Sequence, residues 1–221
     1  MTRCILKTTD GIDIVADYYL PKTPSTQGVL LVHMMPATRV SWKMFATHMQ
    51  EKGYHVLAID LRGHGESTGG PEGYKQFSDE DHQKSSFDLE TAGEFLKTKG
   101  VEVDHLSLVG ASLGANLVLQ YGALRGAKNI ILLSPGLSYR GIKADPLVQK
   151  IKQGTRILFV ASQDDDRSDG NNAETTQLLF DRTSESVEKK IILYREAGHG
   201  TEMFDKEEPD LEEEIMTWLA G

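Results

Sequence analysis

Ser112 lies in the run Gly110-Ala111-Ser112-Leu113-Gly114, a G-x-S-x-G pattern. A strand-like stretch (105–109) precedes it, and a mostly apolar, proline-free stretch (115–124) follows. A chain turning sharply from strand to helix there holds the serine hydroxyl out from the sheet edge, beside the helix amino end. Glycine at both flanks suits such a turn, because the backbone at the serine is strained and neighbouring segments pass too close for a side chain. A serine hydroxyl is a weak nucleophile at neutral pH. It needs a base within hydrogen-bond reach and an acid that orients the base. A glycine-rich turn without chemistry would carry the same pattern, so the weight falls on whether an acid and a histidine follow downstream, in that order.

They do. Glu196-Ala197-Gly198-His199-Gly200 follows a strand-like run at 189–194, and glycines on both sides let this loop fold over the sheet edge. Of the seven histidines, His33, His55 and His105 fall at strand ends, His48 on a helix and His82 at a helix start, which are structural placements. His64, in the loop Arg62-Gly63-His64-Gly65-Glu66-Ser67-Thr68-Gly69-Gly70-Pro71, is the main rival to His199 as base. Arg156 to Ala161 reads as a strand, and the residues after it include Asp164, Asp165 and Asp166, any of which supplies an acid between serine and histidine. The earlier strand end, Ser134-Pro135-Gly136, offers no carboxylate. An oxyanion formed at Ser112 would be held by the backbone N–H of Leu113 and by one from the loop after an earlier strand, where Met35 is the candidate.

The elements that must position these groups alternate along the chain. Asp10-Gly11 between two β-rich runs predicts an antiparallel hairpin. Gly28–His33, His55–Leu61, Leu106–Val109, Asn129–Leu133, Arg156–Ala161 and Lys189–Tyr194 read as buried strands. Helical stripes at Val40–Lys52, about Asp79–Lys99, Ala115–Leu124, Glu174–Arg182 and Pro209–Leu219 fall between and after them. Gly53 suits the end of the first stripe, and Pro209 the first turn of the last. The pattern predicts a twisted, mostly parallel sheet of about eight strands, with helices on both faces and ligands at the carboxyl strand ends.

Composition narrows the function classes. The 221 residues are 39% hydrophobic and 26% charged, with a formal net charge of −9, as expected for one globular domain over 1–221. The acidic balance disfavours nucleic acid and anionic membrane surfaces as partners. No apolar run nears the roughly 20 residues of a membrane span, and the amino terminus lacks a signal-peptide core. One cysteine, Cys4, permits no intrachain disulfide, so a cytoplasmic location is expected. No metal-ligand spacing is present, and the expected chemistry needs no cofactor.

With these residues in hand, nearly the whole chain resembles the α/β-hydrolase superfamily, in its small serine-esterase branch. The resemblance rests on His33-Met34-Met35-Pro36 (like H-G-x-P), Asp60-Leu61-Arg62-Gly63-His64-Gly65-Glu66-Ser67 (like D-x-R-G-x-G-x-S), Gly110-Ala111-Ser112-Leu113-Gly114 and Gly198-His199-Gly200. It implies Ser112, Asp165 and His199 as catalytic residues, with Met35 and Leu113 forming the oxyanion hole. Asp165 is favoured over Asp164 because the family's acid sits in a G-x-x-D turn, with Ser162 standing where the family has glycine. Met34 also replaces a family glycine and is a candidate substrate-binding residue on the acyl side. The resemblance gives Asp60, Arg62 and His64 a scaffolding role. Only Gly136 to Thr155 lie where many relatives insert a cap, so a minimal cap and an open site are expected. The implied activity is hydrolysis of small carboxylic esters with short to medium acyl chains. Thioesterase, amidase or peptidase and lactonase activities on the same residues are the alternatives. A noncatalytic binding protein on this scaffold is a further one.

Overall fold

Successive apolar residues of each central strand alternate between two cores. Leu30 and Val32, Leu57 and Ile59, Leu106 and Leu108, Ile130 and Leu132, and Ile157 and Phe159 fall in one core. Val29 and Leu31, Val56 and Ala58, Val109 and Ala111, Ile131 and Leu133, and Leu158 and Val160 fall in the other. The side-chain period of two thus loads both faces of a single sheet, which helices cover on each side. The computed structural model describes residues 1–221 except 168, 169, 205 and 207.

The sheet comprises β1 (Thr2–Lys7), β2 (Asp13–Tyr19), β3 (Gly28–Val32), β4 (His55–Ile59), β5 (Leu106–Ala111), β6 (Asn129–Leu133), β7 (Arg156–Ser162) and β8 (Glu188–Tyr194). Its order is β1-β2-β4-β3-β5-β6-β7-β8. The first two strands are antiparallel, β2 runs antiparallel to β4, and the remainder are parallel. The expected eight-stranded α/β-hydrolase architecture is therefore present.

Helix α1 (Lys43–Glu51) and a carboxy-terminal helix (211–220) cover one face through Phe45, Met49, Leu211, Ile215 and Trp218. The first stripe begins one turn earlier as a 3-10 segment, Arg39–Trp42, and ends before Gly53, whose φ is +91°. The stripe read as one helix over 79–99 is two: α2 (Asp79–Gln83) and α3 (Ser86–Thr98). Ser85, Phe87 and Asp88 donate to carbonyls three residues back, so the chain tightens and α3 starts afresh, with Asp88 buried in its first turn. Helix α4 (Leu113–Arg125) follows the serine turn, and α5 (Asp145–Val148) with a two-residue ribbon (138–139 with 142–143) occupies the cap position. The cap is minimal, as expected. Next comes α6 (Asn172–Arg182), and α7 is the carboxy-terminal helix. Pro209 is not in its first turn: Asp210 is the N-cap, accepting from the Glu213 N–H at 2.8 Å, and Pro209 precedes it.

Candidate active site

Ser112 sits between β5 and α4 with φ 53° and ψ −119°, the strained turn predicted for a nucleophile. Its N–H donates to the Leu133 carbonyl at 2.8 Å, and its carbonyl caps α4 by accepting from Ala115 (2.9 Å) and Asn116 (3.2 Å). The flanking glycines are required sterically. A Cβ at Gly110 would meet the Gly114 carbonyl oxygen at 2.3 Å, and one at Gly114 would meet the Val32 oxygen at 2.4 Å. The second clash also shows how closely the elbow approaches the end of β3, where the oxyanion-loop candidates lie.

Leu113 is the first residue of α4, so its N–H has no partner inside the helix. Among the described residues neither that N–H nor that of Met35 has a hydrogen-bond partner. The Met35 amide is oriented by His33. This fully buried imidazole accepts the Leu61 N–H at Nε2 (3.1 Å), leaving Nδ1–H to donate to the Met34 carbonyl (2.9 Å). Since C=O and N–H point oppositely across a trans peptide, the bond aims the Met35 N–H away from the His33 ring. Burial and the neighbouring His64 push the His33 pKa down to about 3, so the ring stays neutral and keeps both bonds. The Met34 side chain reaches over the same edge: a Cβ at Gly200 would meet its sulfur at 2.7 Å.

Asp165 and His199 meet. His199 Nδ1 lies 2.5 Å from Asp165 Oδ2, with both residues buried. Asp165 follows β7, and His199 lies five residues beyond the end of β8, the parallel neighbour of β7. The loop of His199 also abuts the elbow: a Cβ at Gly200 would lie 3.2 Å from that of Ala111, the residue before Ser112.

The other two aspartates are placed elsewhere. Asp164 Oδ1 accepts from the Ser162 hydroxyl (2.5 Å) and the Gly198 N–H (3.1 Å), and the Ser162 bond in particular holds its carboxyl below the usual range. Asp166 is exposed and takes a 2.8 Å bond from the Asn171 amide.

His64, the rival base, is buried. Its Nδ1 bonds the Arg62 carbonyl at 3.0 Å and its ring stacks on Tyr74 at 4.3 Å. Burial lowers its pKa, and no carboxylate bonds its ring among the described residues. Asp60 takes the Arg39 guanidinium and the N–H groups of Arg39 (2.7 Å) and Glu66 (2.9 Å). Arg62 holds Asp88 through Nε (2.9 Å) and Nη2 (2.7 Å), and Asp10 through Nη1 (2.7 Å). These contacts tie the 60–67 loop to the turn between β1 and β2, to the 3-10 segment at Arg39 and to α3 rather than to the serine.

Sequence reasoning missed Arg167. Its Nε donates to Asp165 Oδ1 at 2.6 Å, so the acid is shared between a guanidinium and an imidazole. An Asp-x-Arg spacing in a tight ribbon was the available signal. Among the described residues, no group of three or more His, Cys, Asp or Glu is arranged to hold a metal ion. No helix among them is long and apolar enough to cross a membrane.

Known proteins share this fold. An esterase from Exiguobacterium antarcticum superposes with a TM-score of 0.77 at 16% identity, covering 100% of both chains. A Pyrococcus furiosus esterase superposes with a TM-score of 0.78 at 15% identity, covering 99% of this chain and 89% of that one. At such identities the likeness concerns the fold. A Synechocystis sp. (strain ATCC 27184 / PCC 6803 / Kazusa) protein, provisionally named a non-heme chloroperoxidase, is 29% identical over 122 residues, 54% of this chain. The match spans only 40% of that curated relative's length. The family model described as serine aminopeptidase, S33, matches residues 23–155, which take in β3, the elbow and β6. More than half of the sequence is thus accounted for by one family, and the chain belongs to the S33 branch of the α/β hydrolases.

Proposed function

We propose that the protein is a serine hydrolase acting on small carboxylic esters, with Ser112, His199 and Asp165 as its catalytic residues. The observation that carries the reading is the 2.5 Å bond between His199 Nδ1 and Asp165, made on a loop that abuts the strained elbow of Ser112. With Nδ1–H given to Asp165, Nε2 is the free base. It takes the Ser112 proton as the oxygen attacks the ester carbonyl, and the Leu113 and Met35 N–H groups receive the oxyanion. The imidazolium, stabilised by Asp165, then protonates the leaving alcohol. Water cleaves the acyl-enzyme by the reverse sequence of proton transfers. The minimal cap supports short to medium acyl chains.

The family's aminopeptidase description favours a second substrate class, amides and peptides, on the same residues. A panel of p-nitrophenyl esters, thioesters and aminoacyl anilides separates the two, and the ester reading requires the largest kcat/KM on esters. Labelling by a fluorophosphonate probe tests the nucleophile. Wild-type protein should label, and Ser112→Ala should not, with turnover down by about 10⁶. A wild-type chain inert to the probe would favour a binding protein on this scaffold. An ester-hydrolysis rate rising steadily beyond about ten acyl carbons would refute the chain-length part of the reading.

A further inference from the structure

Side chains capture four successive backbone amides of the loop that carries His199. The Ala197 N–H donates to Ser162 Oγ at 2.8 Å. The Gly198 N–H donates to Asp164 Oδ1 at 3.1 Å. The His199 N–H donates to Glu202 Oε2 at 3.0 Å, and the Gly200 N–H to Ser134 Oγ at 2.9 Å. Ser162 and Asp164 act as a pair, because the Ser162 hydroxyl that accepts from Ala197 donates its own proton to Asp164 Oδ1 at 2.5 Å. Ser134 and Ser162 are both fully buried at adjacent strand ends. Ser134 also holds a left-handed backbone, φ 52°, which costs free energy in any residue but glycine.

Loop amides of this kind are ordinarily satisfied by water or by neighbouring backbone. Here three of the four acceptors come from the ends of β6 and β7, and the fourth is local. The strand end that carries Asp165 therefore also grips the loop that carries its imidazole partner. The loop is fixed on either side of His199 by Ser162 and Asp164 at Ala197 and Gly198 and by Ser134 at Gly200, and the His199 ring is fixed by Asp165.

The geometry points to Ser134, Ser162 and Asp164 as positioning residues, a side-chain latch that holds the His199 loop in register with Ser112 and so sets the rate of the chemical step. The inference rests on the proposed serine-hydrolase reading for its effect on rate, and on the hydrogen bonds alone for its effect on the loop. It gives Asp164 a task that needs only an acceptor oxygen, whereas the task proposed for Asp165 also needs its negative charge beside the imidazolium.

The test combines kinetics with amide hydrogen exchange on the full chain. Ser134→Ala, Ser162→Gly and Asp164→Ala should each lower kcat on a p-nitrophenyl ester by about tenfold to 100-fold, the scale of an ångström-level displacement of a catalytic group. KM should stay within about twofold. Exchange at residues 197–200 should accelerate, while exchange in β5 and β6 should not change. Asp164→Asn keeps an acceptor oxygen for Gly198 and should recover most of what Asp164→Ala loses. Unchanged kcat and exchange in all three variants would overturn the latch. So would an Asp164→Asn enzyme as inactive as Asp164→Ala. If the wild-type chain neither labels with the fluorophosphonate nor turns over, the hydrolase reading falls, and exchange at 197–200 still decides whether the latch exists.

Discussion

Mild acid should destabilise this protein well above the pH at which exposed carboxylates titrate. The perturbation is protonation of histidines that the fold keeps neutral. His33 has its pKa lowered from 6.5 to about 3, by burial first and by His64 second. His82, packed edge-on against Phe77, has its pKa lowered to about 4, again mainly by burial. Lowered folded-state values mean that the unfolded chain binds protons first as pH falls. The stability is thus complete above about 6.5 and is lost as pH drops toward the folded values. At 1.36 kcal/mol per unit, each histidine costs about 2 kcal/mol by pH 5, or about 4 kcal/mol for the two. Asp88 opposes them. Burial raises its pKa to about 6 despite Arg62, so the folded state gains a proton there and recovers about 1 kcal/mol by pH 5. The net loss is about 3 kcal/mol, which for a chain of this size lowers Tm by about 6–12 °C. Thermal melts of wild type and His82→Gln at pH 7.5 and 5 provide the assay, and the variant should lose about 2 kcal/mol less than wild type. A wild-type Tm that is flat or rises over this range, or a His82→Gln slope equal to wild type, would refute the reasoning.

Asp165→Asn should lower kcat by about 10⁴, because an amide cannot hold the required imidazole tautomer, whereas Asp164→Asn should cost far less; steady-state kinetics on one ester compares them. Gly114→Ala should destabilise by about 1–3 kcal/mol and reduce activity, since its Cβ would meet the Val32 oxygen at 2.4 Å; urea titration and ester turnover read both. Met34→Gly removes the thioether that packs against Gly200 and should move the preferred acyl length upward, read as kcat/KM across a p-nitrophenyl ester series.

Much of the architecture was legible because each layer has its own period. Strands buried on both faces appear as unbroken apolar runs such as Val29-Leu30-Leu31-Val32 and Ile130-Ile131-Leu132-Leu133, and these lie at the centre of the sheet. The break between α2 and α3 was not legible, because the polar stretch 79–86 that precedes the apolar face of Leu89, Ala92 and Leu96 contains no proline or glycine to mark the turn. At the site, the order of Ser112, Asp165 and His199 could be read, but not the partners of each aspartate. Asp164, Asp165 and Asp166 are chemically identical and adjacent. Only the path of the chain after β7 turns one toward the imidazole, one toward the Gly198 amide and one toward Asn171. Ser134 was legible only as a residue lacking a carboxylate, since its left-handed conformation and its bond to Gly200 arise from tertiary placement.

The segment from Asp60 to Ser67 shows how residues remote from bond breaking bear on it. Arg39, Asp17, Asp60 and Glu66 form one charge cluster, and Arg62, Asp10 and Asp88 form another. Such buried pairs add little net stability compared with apolar packing, yet losing one partner is costly because a bare charge stays behind. They therefore specify position more than they stabilise. What they specify is the backbone at Leu61, whose N–H fills the acceptor nitrogen of His33. With that nitrogen occupied, the His33 proton resides on Nδ1 and binds the Met34 carbonyl, and the direction of the Met35 N–H follows. The charge clusters thus orient one side of the proposed oxyanion site through a neutral histidine, while the amides bound by Ser134, Ser162 and Asp164 fix the proposed base. Both sides are held by groups that neither accept nor donate a proton in the reaction, as expected when rate depends on donors and acceptors already pointing the right way before substrate arrives.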